Sequence, residues 1–132
     1  MPLPLTEVIV CTTCRPAGAS RDHPAAGETM LAAVQTAQFD AEPGERVIVR
    51  GVACMSGCDR ACTVAFQAPG KHSYLFGDLK PDIDTAVQVL GCARLHAQSS
   101  DGALARNERP ERLRSGILTK LPPYTSGRES VA

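Results

Sequence analysis

Two runs of β-branched residues, Val8 to Val10 and Val47 to Val49, stand on either side of one helical pattern. They predict strands over Leu5–Val10 and Arg46–Val52, with a helix between them from about Gly27 to Phe39. A strand, a crossover helix and a second strand form a βαβ unit, in which the two strands lie parallel with a right-handed connection. Both strands should therefore end at the same edge of a sheet.

The chain after this unit predicts a hairpin and two further helices. Thr63–Gln67 and His72–Phe76 are short β-branched and aromatic runs joined by Ala-Pro-Gly-Lys, a sequence typical of an antiparallel hairpin. A helix follows to about Gln98, with Pro81 at its first position and an apolar stripe of Ile83, Ala86, Val87 and Leu90. A short helix around Pro110–Lys120, packing Leu113 and Ile117, completes the pattern. We predict an α/β fold with a mixed sheet of about four strands, in the order β-α-β-β-β-α plus the short C-terminal helix.

Five of the six cysteines form two groups, Cys11 with Cys14 and a run of Cys54, Cys58 and Cys62 spaced by four, whereas Cys92 stands alone. Cys11 and Cys14 follow the first strand, whereas Cys54 and Cys58 follow the second, so the two groups should converge at one sheet edge. Open α/β sheets usually bind ligands at such an edge. Clustered thiolates repel each other and oxidise unless a cation neutralises them, which predicts a metal or iron–sulfur centre.

Three kinds of site remain open at this stage: an iron–sulfur centre, structural zinc and an unligated redox dithiol at Cys11 and Cys14. Zinc ribbons join their cysteine pairs through short hairpins, whereas here a helix and a strand intervene. A dithiol would need a helix N-terminus to lower its thiol pKa, and the predicted helix begins a dozen residues after Cys14. Cys62 could replace Cys54 as a ligand if residues 58–62 form one helical turn.

The other candidate side chains are not predicted to be ligands. Cys92 lies in the second predicted helix and is typical of a small buried hydrophobe. None of the histidines adjoins a cysteine, so His23, His72 and His96 are interpreted as surface or structural residues. Arg15 and Arg60 flank the cysteine groups and could favour the more negative, reduced state of a cluster, although flanking arginines are usually solvated.

Two cysteine segments resemble the ligand loops of thioredoxin-like 2Fe-2S ferredoxins: Val8-Ile-Val-Cys-Thr-Thr-Cys-Arg15 and Cys54-Met-Ser-Gly-Cys58. The small 2Fe-2S subunit of NADH:quinone oxidoreductase has the same fold, and the resemblance covers about residues 5–98. A bacterial family described only as predicted metal-binding resembles nearly the whole chain. The similarity lies in Cys-Thr-Thr-Cys, Cys-x-Ser-x-Cys-x-Arg-x-Cys-Thr, the hairpin Pro-Gly-Lys, Tyr-x-Phe-Gly-Asp-Leu at 74–79 and Arg-Pro-x-x-Leu-Arg at 109–114.

This resemblance implies a thioredoxin-like fold and a 2Fe-2S cluster held by Cys11, Cys14, Cys54 and Cys58. It implies an electron carrier, not an enzyme, whose partners are a reductase and an acceptor enzyme. The ferredoxin domain would span 1–98, with 99–132 an extension packed on the same domain and flexible at its last residues. We also expect a homodimer, because relatives in this fold often pair and an open sheet leaves an edge strand to protect.

Composition excludes several other classes of function. The chain has 14 basic and 14 acidic side chains and few aromatic residues, which disfavours nucleic-acid binding. No apolar stretch approaches the roughly 20 residues of a membrane span. The N-terminus lacks the basic region of a secretory signal, so we expect the cytoplasm, where thiols stay reduced. Without a dinucleotide fingerprint or phosphate loop, we expect protein partners and no organic substrate.

Overall fold

The computed structural model describes residues 6–13, 15, 25–39, 47–53 and 60–123. Its elements, in chain order, are β1 (Thr6–Cys11), α1 (Ala26–Phe39), β2 (Val47–Val52), β3 (Val64–Gln67), β4 (Ser73–Phe76), α2 (Ile83–Gln98) and β5 (Ile117–Leu121). Two short 3-10 turns, Arg106–Glu108 and Glu111–Leu113, lie between α2 and β5. Neither helix of the described chain has the length and apolar content that crossing a membrane requires.

The strands form one mixed sheet in the order β2-β1-β3-β4-β5. β1 and β2 are parallel, with Cys11 opposite Val52, and the remaining neighbours are antiparallel. The predicted βαβ unit and hairpin are therefore confirmed, and with them the α/β class. Since β1 and β2 run in the same direction, the chain leaves both strands at one edge, which we call the cysteine edge.

The hydrophobic core lies between the sheet and the two helices. Both helices contact β1, β2 and each other, so they cover the same face of the sheet. Alternation along β1 directs Val8 and Val10 to this face, where they pack with Phe66 and Phe76 of the hairpin. The two phenyl rings meet edge to face with centroids 5.7 Å apart. Burying each of these apolar side chains stabilises the fold by about 1.5–3 kcal/mol.

The prediction of a short C-terminal helix is wrong: a strand forms there, so the sheet has five strands instead of about four. Only Glu111–Leu113 makes a 3-10 turn, after which β5 pairs with the outer edge of β4. Gly116 allows the reversal because its φ is 80°, and its carbonyl accepts from the Gly77 amide at 2.8 Å. Leu113 is fully buried as expected, whereas Ile117 is 41% exposed. The domain boundary at residue 98 stays a prediction.

Helix α2 differs from its predicted start and its predicted apolar face. Asp82 is the N-cap and accepts from the Thr85 amide at 2.8 Å, so Pro81 precedes the helix and is not its first residue. Ile83 and Val87 are more than half exposed. The buried face is instead formed by Thr85, Ala86, Val89, Leu90, Cys92, Ala93 and His96.

A buried polar cluster joins β1, β4 and α2 at the end of the sheet away from the cysteine edge. The His96 ring lies 2.7 Å from the His72 carbonyl through Nε2 and 2.8 Å from the Thr6 hydroxyl through Nδ1. Lys71 Nζ donates to the carbonyls of His96 and Ala97, at 2.9 and 2.6 Å. Burial lowers the pKa of His96. His96 is therefore a structural residue, in agreement with the prediction made from the lack of an adjoining cysteine.

Candidate functional site

Cys11 is the last residue of β1 and is fully buried at the cysteine edge. Its amide donates to the Thr63 carbonyl at 3.2 Å, and its Sγ lies 3.7 Å from Thr13 Oγ1. Alternation along the strand places Cys11 with Ile9, on the face of the sheet opposite the helices. The backbone around this thiol is thus held on both sides by neighbouring strands.

The segments that lead into the two predicted ligand loops are hydrogen-bonded to each other. Thr12 donates to the Val52 carbonyl through its amide at 2.8 Å and through its hydroxyl at 3.1 Å. The Thr13 hydroxyl donates to the Ala53 carbonyl. Thr13 directly precedes Cys14 and Ala53 directly precedes Cys54 in the sequence. The bonds therefore bring together the starting points of both loops.

Of the four predicted ligands, only Cys11 lies within the described residues. Cys14, Cys54 and Cys58 lie outside them, as does His23. Among the described side chains, no three of His, Cys, Asp and Glu gather in a metal-binding group. The ligand set of four cysteines accordingly stays a prediction.

The first turn of α1 lies directly against Cys11. A Cβ atom placed on Gly27 would be 2.0 Å from the Cys11 carbonyl oxygen and 2.9 Å from the Thr12 carbonyl carbon. Glycine is therefore required for helix and strand to approach this closely. From the sequence, we expected this helix to begin too far from Cys14 for its dipole to act on the thiolates. That expectation is wrong for Cys11, because the folded chain brings the first turn of α1 against this residue.

Helix α2 also begins close to this edge. Leu79 exchanges two backbone hydrogen bonds with Cys62, at 3.1 and 3.2 Å, and the N-cap Asp82 follows three residues later. A helix N-terminus carries a partial positive charge from its unsatisfied N–H groups. Both helices therefore start at the cysteine edge, where the first-turn carboxylates Glu28 and Asp84 and the N-cap Asp82 complement part of this positive charge.

Cys62 and Cys92 are both buried. Cys62 is 1% exposed and packs with Val64 in the core beneath the helices. The alternative in which Cys62 replaces Cys54 as a ligand stays a prediction, because Cys54 and Cys58 lie outside the described residues. Burial raises the pKa of the Cys92 thiol to about 12, so this thiol stays protonated at neutral pH.

Arg60 is not merely solvated, because it forms an ion pair with Asp78. Its Nε lies 3.0 and 2.9 Å from the two carboxylate oxygens of Asp78, and its Nη2 also contacts this carboxylate. The hydrogen-bonded arginine lowers the pKa of Asp78, and the carboxylate raises that of Arg60. The sequence carried no signal for this pair, which joins residues 18 positions apart.

A protein family described as a protein of unknown function, DUF1636, matches residues 8–123. The chain belongs to this family. The description of DUF1636 assigns no activity, and no curated protein matches this member.

The DUF1636 chain is similar to the solved structure of a thioredoxin-like [2Fe-2S] ferredoxin from Aquifex aeolicus. The TM-score is 0.52 at 20% sequence identity, and the alignment covers 92% of this chain and 97% of that chain. At this identity the similarity establishes the fold alone. The prediction of a thioredoxin-like fold is therefore confirmed.

The described residues of the DUF1636 chain fit a cysteine-ligated cluster at the cysteine edge. Cys11 supplies a thiol, the type of ligand that iron–sulfur clusters use. The bond from Thr13 to Ala53 brings the residue that precedes Cys54 to the same place. The helix N-termini add partial positive charge beside it.

Proposed function

We propose that this DUF1636 protein is a small electron carrier that holds a 2Fe-2S cluster through Cys11, Cys14, Cys54 and Cys58. The observation that carries the proposal is the hydrogen bonding of Thr12 and Thr13 to Val52 and Ala53, which joins the two cysteine loops at their starting points. The similar fold of the Aquifex aeolicus [2Fe-2S] ferredoxin supports the same proposal.

The protein contributes anchoring, a fixed geometry and a favourable field. When bound, the cluster supplies exchange of single electrons. Cys11 extends from a fully paired β1, where the Thr63 carbonyl and the first turn of α1 hold its backbone. A ligand on such a rigid element keeps its position in both oxidation states. The positive ends of α1 and α2 offset negative charge at the cysteine edge.

The proposal implies protein partners, a reductase that donates the electron and an enzyme that accepts it. The protein then acts as a carrier and not as an enzyme. It is proposed to work in the cytoplasm, where the ligand thiols stay reduced before the cluster is inserted.

Metal analysis of the anaerobically purified protein tests this function. Iron and acid-labile sulfide should be present in equal amounts, with a red-brown colour and visible absorption that bleaches on reduction. Cys92→Ala is the matched control, because its thiol is buried in α2 and its loss should leave the iron content unchanged. Colourless protein containing one zinc per chain would refute the proposal.

A thiol–disulfide oxidoreductase is the second candidate, favoured by the contact between the α1 N-terminus and Cys11. A helix N-terminus stabilises a thiolate and so lowers its pKa. This candidate predicts insulin reduction that depends on Cys11 and Cys14 and is unaffected by chelators. The complete burial of Cys11 opposes it, since a redox dithiol must meet its substrate.

A further inference from the structure

The segment 54–59, which carries Cys54 and Cys58, lies between two hydrogen-bonded anchor points. On its N-terminal side, the Ala53 carbonyl accepts from the Thr13 hydroxyl. On its C-terminal side, Arg60 binds the carboxylate of Asp78, in the loop that follows β4. Cys58 precedes Arg60 by only two residues.

The contact between Arg60 and Asp78 has both a side-chain and a backbone part. The guanidinium binds both carboxylate oxygens, and the Asp78 amide donates to the Arg60 carbonyl at 2.7 Å. A Cβ on Gly77 would lie 2.8 Å from this same carbonyl, so the two segments touch at backbone distance. Two residues further along, Cys62 pairs with Leu79 through both of its backbone groups. The loop after β4 therefore acts as a fixed support for Arg60.

Global stability does not account for this arrangement. Both side chains are about half exposed, at 50% and 51%, and exposed ion pairs contribute little to stability. Asp78 also has φ of 60°, a left-handed conformation that is unfavourable for residues other than glycine. Backbone held in such a conformation by its surroundings is concentrated at functional sites.

We infer that Arg60 and Asp78 are positioning residues, which fix the C-terminal end of the ligand loop and so hold Cys58 at the cysteine edge. The inference rests on the proposed function, since it assigns the pair a task in retaining the cluster. The carboxylate orients the arginine by two hydrogen bonds. Arg60 lies two residues after the proposed ligand Cys58, so holding Arg60 restrains the chain next to that ligand. The backbone bond from Asp78 to Arg60 remains when either side chain is replaced, so loss of either partner should loosen this end of the loop and let the cluster escape more quickly.

Two substitutions remove the pair from opposite sides. Asp78→Asn keeps the shape of the side chain and its tolerance of left-handed backbone while removing the charge. Arg60→Gln leaves residue 78 untouched. Arg50→Gln is the matched control, since it breaks another exposed ion pair, to Glu7 at 2.9 Å, that joins two strands and not the ligand loop.

The first measurement is the rate at which visible absorbance is lost when the cluster-loaded proteins meet an iron chelator. We expect Asp78→Asn and Arg60→Gln to lose the cluster about tenfold faster than the unaltered protein, which is the low end of the effect on metal affinity when a group hydrogen-bonded to a metal ligand is removed. Arg50→Gln should match the unaltered protein. The second measurement is hydrogen–deuterium exchange over residues 53–60 in the metal-free proteins, which should be faster in both pair variants only.

The outcomes separate the inference from the proposed function. Equal loss rates and equal exchange in all four proteins overturn the inference. Acceleration in Asp78→Asn but not in Arg60→Gln also overturns it, since the backbone at residue 78 and not the ion pair would then be responsible. If the unaltered protein binds no iron or sulfide, the proposed function fails, and exchange in the metal-free proteins still decides whether the pair holds the loop.

Discussion

Replacement of Gly27 by Ala tests the close contact between α1 and the cysteine edge. In the structure, the added methyl group would lie 2.0 Å from the Cys11 carbonyl oxygen, about 1 Å inside the shortest contact that such a group makes. The obstructing atoms all belong to the backbone of Cys11 and Thr12. No side-chain rotation can relieve the clash, so helix and strand must separate.

The expected free-energy change combines two opposing effects. Forcing extra volume into a packed interior costs about 1–3 kcal/mol. Alanine has a higher helix propensity than glycine, which returns at most about 1 kcal/mol. We therefore expect Gly27→Ala to lower the free energy of unfolding by about 1–2 kcal/mol, which moves the urea midpoint down by about 0.5–1 M. Because the displaced backbone is that of Cys11, the iron content should fall as well.

Urea unfolding of the metal-free protein, followed by circular dichroism, measures this change. Gly91→Ala in α2 is the matched control, since its methyl group would lie 3.7 Å from the nearest atom, in Pro110. That substitution should stabilise the protein by about 0.5–1 kcal/mol. If both variants shift the midpoint upward, the reasoning about the contact at Cys11 is refuted.

Further expectations concern the other cysteines, the buried polar cluster and the assembly. Replacing any of the four proposed ligands with Ala should abolish cluster incorporation, whereas Cys62→Ala and Cys92→Ala should retain it; iron and sulfide assays would expose a wrong ligand set. Because burial lowers the pKa of His96 below its ordinary 6.5, the stability owed to the neutral ring is complete above pH 6.5 and declines as the pH falls below it. Thermal unfolding between about pH 7.5 and pH 5 should show this decline, and a His96→Gln variant with the same decline would contradict the assignment. Lys71→Met should cost about 1–3 kcal/mol in urea unfolding, because two α2 carbonyls lose their buried donor. Light scattering should report a homodimer, and a monomer mass at all working concentrations would reject that expectation.

The sheet edge could be predicted because the information for it is local. Each β-branched run in β1 and β2 is typical of a buried strand, and the amphipathic α1 between them has the length of a crossover helix. The parallel arrangement then follows from the chirality of the connection. The position of Cys11 beside the end of β2 is a consequence of that topology, and the register of Cys11 with Val52 agrees with it.

The C-terminal strand was not predicted because its structure depends on a distant partner. Leu113 and Ile117 have helical spacing, but β4 offers an open edge whose backbone groups need partners. Pairing with β5 gives hydrogen-bond partners to the backbone groups of that edge, and Gly116 allows the turn before β5 because it adopts a positive φ. The β-branched Ile117 and Thr119, after a Ser-Gly pair, were the available signal for a strand.

By itself, the sequence determined the strand–helix–strand unit, the edge at which Cys11 lies and the burial of Cys92, because hydrophobic periodicity and chain chirality act over short ranges. Only the tertiary structure decided that Cys62 is buried in the core. It also decided that Gly27 meets Cys11, that Thr13 joins Ala53 and that Asp78 holds Arg60. These contacts join residues between 16 and 40 positions apart in the sequence. Their formation depends on how the helices pack on the sheet, and a local pattern carries no record of that packing.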